Sequence, residues 1–124
     1  MNKQLPIYIA VGGGIGSSLR FAVSTILPTT YGLPIGTLTV NMIGCFLLSF
    51  LSSVFPKHRK VDPLFQKALT TGVIGSFTTF SAFSTESLKL LEDRISLGFM
   101  YIIMTAVFGL LMSWMGVKAG RKYT

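Results

Sequence analysis

Charge, and negative charge above all, is scarce in this chain. Only four of its 124 residues are acidic, and charged residues of both signs make up 12%, against about 25% in an ordinary soluble domain. Half of the residues are hydrophobic, and the mean hydropathy is +0.63. This composition excludes a typical soluble globular protein.

Cysteine and histidine are nearly absent as well. Cys45 and His58 are the single residues of their kinds, so the sequence offers neither a disulfide nor a cysteine–histidine metal site. Three of the four acidic residues, Glu86, Glu92 and Asp93, fall near the end of one predicted helix. Since no set of nucleophile, base and acid can be assembled from these residues, we expect the protein not to be an enzyme.

Long stretches without charge are the main feature that is present. Residues 4–56 contain only Arg20, and residues 68–85 and 95–117 contain no charged residue. About 20 helical residues cross the ~30 Å of a bilayer, so the chain can supply four helices with short connections. We therefore predict an all-α integral membrane protein, with residues 1–124 forming a single four-helix transmembrane domain.

The net charge of +7 does not indicate a nucleic-acid partner. The cations cluster beside the predicted spans, in the sets Lys57, Arg59, Lys60 and Lys118, Arg121, Lys122. Basic residues at such positions face anionic lipid headgroups and the cytoplasm. The lipid bilayer is thus the expected partner of these charges.

Proline marks several ends of the predicted helices, which we place at about residues 6–27, 34–55, 63–91 and 95–117. Pro34 is expected to start the second helix and Pro56 to stop it. Asp62 is a natural N-cap for the third helix. The middle of that helix, from Gly72 to Ser81, is poor in helix formers, so we expect the helix to be broken there at mid-membrane.

Small and polar residues recur every three or four positions on the predicted helices and so share one face. For the glycines, close helix packing is the favoured interpretation. Asn41 and Arg20 differ, because an amide and a cation are costly in a bilayer unless a partner or a cavity holds them. We favour a functional role for Asn41, whereas for Arg20, near the end of its helix, snorkelling to the interface is an equal alternative.

The break in the third helix is the strongest functional signal. Irregular backbone survives at membrane depth only where it lines a cavity or binds something. Carbonyls freed between Gly75 and Thr78 can coordinate a small cation, and the helix restarting near Ser81 points its positive dipole end toward the midplane. Phe80 and Phe83 share a face and can turn electropositive ring edges toward an anion, although ordinary packing is the simpler role for two phenylalanines.

Three motifs on three of the predicted helices occur together and in order. They are GGGIGSSLR at residues 12–20, GTLTVN at residues 36–41 and GSFTTFSAFS at residues 75–84. In this combination, and over nearly the whole chain, the sequence resembles the bacterial CrcB/Fluc fluoride channel family.

The resemblance implies an antiparallel dimer of two four-helix subunits, with two fluoride pores and a structural sodium ion at the centre of the interface. The residues that it assigns to the fluoride pore are Arg20, Asn41, Thr79, Phe80, Ser81, Phe83, Ser84, Tyr101 and Thr105, with Arg20 near an entrance. The backbone carbonyls of Gly75 and Thr78 are the implied sodium ligands. Ala82 departs from the family, which usually has a hydroxyl residue there, so one of the hydroxyl groups that the resemblance implies along the pore is missing.

The implied function is passive export of cytoplasmic fluoride through a selective channel, which gives fluoride resistance. The alternative is a small multidrug-type proton-coupled exporter, which has a membrane-embedded glutamate on its first helix, where this chain offers Arg20. A structural subunit that only packs against partners would explain the glycines but not the break in the third helix.

The distribution of cations also predicts an orientation. With four crossings, one side carries Lys3, Lys57, Arg59, Lys60, Lys67, Lys118, Arg121 and Lys122, and the other carries Lys89 and Arg94. This asymmetry predicts that both termini lie on the cytoplasmic side of a bacterial cell membrane. The second subunit is then expected to be an oppositely oriented homologue from a paired gene, or an inverted copy of this chain.

Overall fold

The computed structural model describes residues 3–30, 32–58 and 60–122, and the regular structure within these ranges is helical. No strand is present there, although a lone antiparallel bridge joins Thr30 to Leu33 in the link after the first helix. Arg59, one of the cations used to predict orientation, lies outside the described residues. The prediction of an all-helical chain is confirmed.

Five helices follow one another within the described ranges. Their bounds are Leu5–Ile26 for α1, Ile35–Val54 for α2, residues 63–77 for α3, Phe80–Asp93 for α4 and Ile95–Lys122 for α5. A single 3₁₀ turn, Phe55–Lys57, follows α2. The winding of α3 changes along its length: Pro63–Lys67 is α-helical, Ala68–Ile74 is π-helical and Gly75–Phe77 is α-helical again.

Among the residues that the structure describes, three segments are long and apolar enough to cross a membrane, namely Leu5–Ile26, Ile35–Lys57 and Ile95–Lys122. A crossing takes about 20 helical residues, and α4 has only 14. Large apolar side chains also point outward, among them Phe21, which is 75% exposed, and Leu110, which is 74% exposed. Since such a surface is stable in lipid and not in water, the chain is a membrane protein.

The helix boundaries follow the turn chemistry of the sequence. The Asp62 carboxylate accepts a hydrogen bond from the Leu64 N–H at 2.9 Å and caps the start of α3. Pro34 is the residue before α2 and not its first residue, so that helix begins one position later than predicted. In the link between α1 and α2, Gly32 has φ +81°, a conformation that a residue without Cβ adopts at no steric cost.

The predicted end of the fourth span at residue 117 is wrong, because α5 continues to Lys122. No proline interrupts residues 117–122. Gly120 lies against the end of α2, where an added Cβ would be 2.7 Å from the Cβ of Ser53. Arg121 and Lys122 fall in the last turn, where positive charge complements the helix dipole.

Close helix pairs account for most of the packing. In the first pair, Gly12 and Gly16 of α1 face the backbone of α3 so closely that an added Cβ would collide with it. In the second, Gly116 of α5 lies against the Ser49 side chain and the Phe46 carbonyl of α2. Gly12, Gly16 and Gly116 therefore serve close helix packing, as expected of small residues between membrane helices.

Candidate functional site

The third predicted helix is interrupted at two threonines. α3 ends at Phe77, and α4 begins at Phe80. The two residues between them are extended, with φ −76° and ψ 152° at Thr78 and φ −144° and ψ 115° at Thr79. The interruption lies within the stretch in which the sequence predicted it, and α4 starts one residue before the predicted Ser81. Two extended residues remove helical hydrogen bonds on both sides, so the backbone there needs other partners.

Asn41 of α2 supplies two of those partners. Its Nδ2 donates to the Thr79 carbonyl at 3.2 Å, and the Thr79 N–H donates to its Oδ1 at 2.9 Å. Exchanging the amide nitrogen and oxygen would oppose donor to donor and acceptor to acceptor, so this pairing fixes the orientation of the amide. The structure therefore shows Asn41 joined to the backbone at the break through both of its polar groups.

Arg20 of α1 contacts the other side of the break. Its Nε donates to the Ser76 carbonyl at 3.2 Å, and its side chain is half-buried. Ser76 lies in the last turn of α3, where carbonyls lack helical partners and the dipole favours a cation. Arg20 thus has a specific partner within the protein, which simple snorkelling to the interface does not require.

Thr79 also caps the helix that follows it. Its Oγ1 accepts from the Ala82 N–H at 3.1 Å and lies 3.2 Å from the Ser81 Oγ. A threonine hydroxyl bonded to the N–H three residues later is a standard N-cap. The side chain that was expected in the pore is therefore engaged in starting α4, and only 9% of Thr79 is exposed.

These contacts divert the N–H groups that would otherwise pair with Gly75 and Thr78. In an α-helix the carbonyl of residue i accepts from the N–H of residue i+4. A continuous helix would therefore pair the Gly75 carbonyl with the Thr79 N–H and the Thr78 carbonyl with the Ala82 N–H. The Thr79 N–H pairs with Asn41 instead, and the Ala82 N–H pairs with the Thr79 hydroxyl. The two carbonyls expected to bind sodium are thus relieved of their helical partners, and neutral oxygens of this kind suit a hard cation.

An open groove of about 470 Å³ runs between α2, the break, α4 and α5. Six residues of the predicted site line it: Asn41, Thr78, Thr79, Phe80, Phe83 and Thr105. The other predicted residues lie elsewhere: Ser81, Ser84, Tyr101 and Arg20 are not part of its lining, and Gly75 lines a second groove between α2 and α3. The structure therefore brings together a large part of the predicted site.

The two phenylalanines of the groove have different surroundings. Their ring centroids are 6.0 Å apart, and Phe83 also lies 5.4 Å from the ring of Tyr101, tilted by 43°. Phe80 is 80% exposed, although it is large and apolar. Packing within the chain therefore explains the position of Phe83 but not that of Phe80.

Glu86 forms a polar cluster that the sequence did not predict. The Thr37 hydroxyl donates to its Oε1 at 2.8 Å, and the hydroxyl of the fully buried Tyr101 lies 3.5 Å from its Oε2. Thr37 lies one turn before Asn41 on the same face of α2. This spacing of two polar residues is the sequence signal that could have indicated the cluster at Glu86. Further along α5, the Thr105 Oγ1 is buried without a hydrogen-bond partner in the described part of the chain.

Comparison with known proteins identifies the family. The sequence profile described as "CrcB-like protein, Camphor Resistance (CrcB)" matches residues 7–117. The chain belongs to the CrcB family. This CrcB chain is 40% identical over 119 residues to "Fluoride-specific ion channel FluC 2" of Staphylococcus haemolyticus. The aligned residues cover 95% of this chain and 98% of the relative.

Two further relatives of this CrcB chain carry similar names. It is 38% identical over 120 residues to "Fluoride-specific ion channel FluC 2" of Geobacillus kaustophilus, covering 93% of each chain. It is 36% identical over 122 residues to "Fluoride-specific ion channel FluC 1" of Staphylococcus aureus, covering 97% of this chain and 82% of the relative. The likeness therefore extends over all five helices and the break.

The pairing of Asn41 with Thr79 predicts a specific loss of stability. Asn41→Leu leaves a backbone N–H and a backbone carbonyl without partners, which costs roughly 1–3 kcal/mol for each group. Cys45→Ala is the matched control, because Cys45 lies one turn further on α2, lines the same groove and has no such pairing to lose. Unfolding in detergent should separate the two variants clearly, and equal stability would contradict the structural role of Asn41.

Proposed function

We propose that the chain forms a fluoride-selective channel that lets cytoplasmic fluoride leave passively and so confers fluoride resistance. The observation that carries the proposal is the likeness, over 95% of the chain, to a protein named as a fluoride-specific ion channel. The matched region, residues 7–117 in the family profile, includes Asn41 and the break, which are the parts best suited to ion chemistry. No enzymatic step belongs to this function.

The groove offers the kinds of group that a fluoride path needs. Fluoride is small and strongly hydrated, so a selective pore must replace its water with closely spaced donors. The Thr105 hydroxyl is buried without a partner in the described residues, and the Asn41 amide keeps a second N–H beyond the one given to Thr79. The edges of Phe80 and Phe83 add positive charge density without a strongly binding cation.

A passive route is sufficient for fluoride export. Fluoride enters cells as the neutral weak acid and ionises at cytoplasmic pH, which traps the anion inside. The inside-negative potential of a cell membrane then drives the anion outward, since moving one charge through 100 mV is worth about 2.3 kcal/mol. No coupling to protons is required.

The transmembrane arrangement that we propose has four crossings and two subunits. α3 and α4 together make the third crossing along the chain, with the break near mid-membrane. A second subunit of opposite orientation covers the groove and the exposed Phe80 ring, which would otherwise lie against lipid beside polar backbone. The antiparallel dimer then contains two pores, each lined by Asn41, Phe80, Phe83, Ser81, Ser84, Thr79, Tyr101 and Thr105, with Arg20 near an entrance.

A structural sodium ion at the centre of that dimer is the proposed use of the two carbonyls at the break. Gly75 and Thr78 would hold it through backbone oxygens whose helical partners bond elsewhere. The described residues contain no group of three His, Cys, Asp or Glu side chains suited to a metal, and the two carbonyls would supply neutral oxygen ligands. When bound, it supplies positive charge that links the two subunits.

Selective efflux is the direct test of the proposed function. Liposomes loaded with fluoride or chloride and containing the purified protein, or the protein with a homologous second subunit, should release fluoride far faster than chloride. An ion-selective electrode measures both rates, and protein-free liposomes give the background. Equal rates for the two anions from a folded preparation would contradict the proposal.

The ring edges of the two phenylalanines are expected to matter more than their bulk. Phe80→Ile or Phe83→Ile keeps an apolar side chain and should lower fluoride flux by at least about tenfold, or roughly 1.4 kcal/mol of barrier. Phe99→Ile is the control, since Phe99 is an exposed phenylalanine of α5 outside the groove. Flux that stays unchanged in both groove variants would assign the rings to packing.

Orientation in the cell membrane is tested with reporters fused to the two ends. The eight cations on the side of the termini and of the loop after α2, against two on the other side, predict cytoplasmic N- and C-termini. The names FluC 1 and FluC 2 among the relatives fit a partner of opposite orientation encoded by a paired gene. Comparable cytoplasmic and external signals from one terminus would mean dual insertion and would rule out a fixed orientation.

A further inference from the structure

The middle of α3 has an unusual winding. Ala68–Ile74 is a π-helix of seven residues, and the Gly75 N–H that closes it donates to the carbonyls of both Thr70 and Gly72. A π-helix bonds each N–H one residue further back than an α-helix does, and in proteins it is rare and mostly confined to single turns. A stretch of this length therefore needs support from its surroundings.

α1 provides that support through two glycines. A Cβ on Gly12 would collide with the Ala68 carbonyl at the start of the π-helix, and one on Gly16 would collide with the Val73 carbonyl near its end. These neighbours are backbone atoms, which cannot move aside as a flexible side chain can. Gly14, on another face of the same helix, has nothing within 4 Å of its added Cβ.

The winding of this segment sets the position of everything that follows it. Each residue of an α-helix turns the chain by about 100° and advances it by 1.5 Å. If residues 68–74 rewound as an α-helix, the residues beyond them would shift in register by about one position relative to α1 and α2. Thr79 would then move away from Asn41, and the carbonyl of Ser76 would move away from Arg20, two contacts that the present winding permits at 2.9 Å and 3.2 Å.

We infer that Gly12 and Gly16 are positioning residues, which hold Ala68–Ile74 in its π-helical winding and thereby place Thr79 opposite Asn41. They touch no ion. They act by leaving room for the wide turn of α3, and the break then falls at Thr78 and Thr79 in the correct rotation. Arg20, one turn after Gly16, bonds to the last turn of α3 and completes the same contact between the helices.

The test uses the exchange of the Thr79 amide hydrogen, followed by NMR in detergent micelles with ¹⁵N-threonine labelling. Gly16→Ala should make that amide exchange at least about tenfold faster, because its bond to Asn41 is lost. Gly14→Ala, the matched control, should leave the rate unchanged. Deleting the exposed Thr71 in the Gly16→Ala background should restore slow exchange, because an α-helix one residue shorter returns Thr79 to its place.

Deleting Thr71 in the Gly16→Ala background distinguishes a change in the register of α3 from simple overpacking between α1 and α3. A variant that merely overfilled the contact between α1 and α3 would gain nothing from the deletion, so a Gly16→Ala/ΔThr71 protein that exchanges fast or fails to fold would overturn the inference. Equal effects of Gly14→Ala and Gly16→Ala would also overturn it. Since the readout is an amide exchange rate, it stands independently of whether the protein carries fluoride, and fluoride efflux measured on the same variants should follow the same order.

Discussion

The fold depends on how an interrupted backbone is satisfied inside a membrane. Extended residues at Thr78 and Thr79 would leave polar groups facing hydrocarbon, at a cost of several kcal/mol for each group. The Asn41 amide pairs with the N–H and carbonyl of Thr79, and Arg20 pairs with the Ser76 carbonyl. An α2 residue and an α1 residue therefore make the break stable, and the break in turn is the part of the chain that can meet an ion.

The same contacts also leave polar groups that suit ions. Each N–H that bonds to a side chain at the break releases a carbonyl from its helical partner, so the contacts that stabilise the interruption also leave the carbonyls of Gly75 and Thr78 available for the proposed cation. The groove beside them carries the Thr105 hydroxyl and two aromatic rings. The cluster of Thr37, Glu86 and Tyr101 then joins α2, α4 and α5 just beyond Phe83. A cation site and an anion path can thus lie close together without sharing ligands.

Much of this could be predicted from the sequence, because apolar runs, prolines and a stretch of poor helix formers carry local information. The helical fold and the break in the third helix are confirmed predictions of this kind, and Asn41 stands out from the packing residues in the sequence as well. The π-helix was not, since its winding depends on contact with the glycines of α1 and leaves no periodic signal of its own. The bond from Arg20 to Ser76 and the role of Thr79 as a cap were missed for a related reason: both depend on where the helix stops, to the residue. The helical end at Lys122 was missed because a basic tail does not by itself distinguish a helix from a loop.

Electrical recording from the wild-type protein in a planar bilayer tests whether this break forms a passive path for fluoride. With a fluoride gradient, equal chloride on both sides and a pH gradient imposed or removed, a passive fluoride path should give a reversal potential that shifts by about 59 mV for each tenfold fluoride gradient, as for any monovalent ion. The value should be independent of the pH gradient. A reversal potential that stays near zero, or that follows the pH gradient, would mean that the break is not a passive path for fluoride.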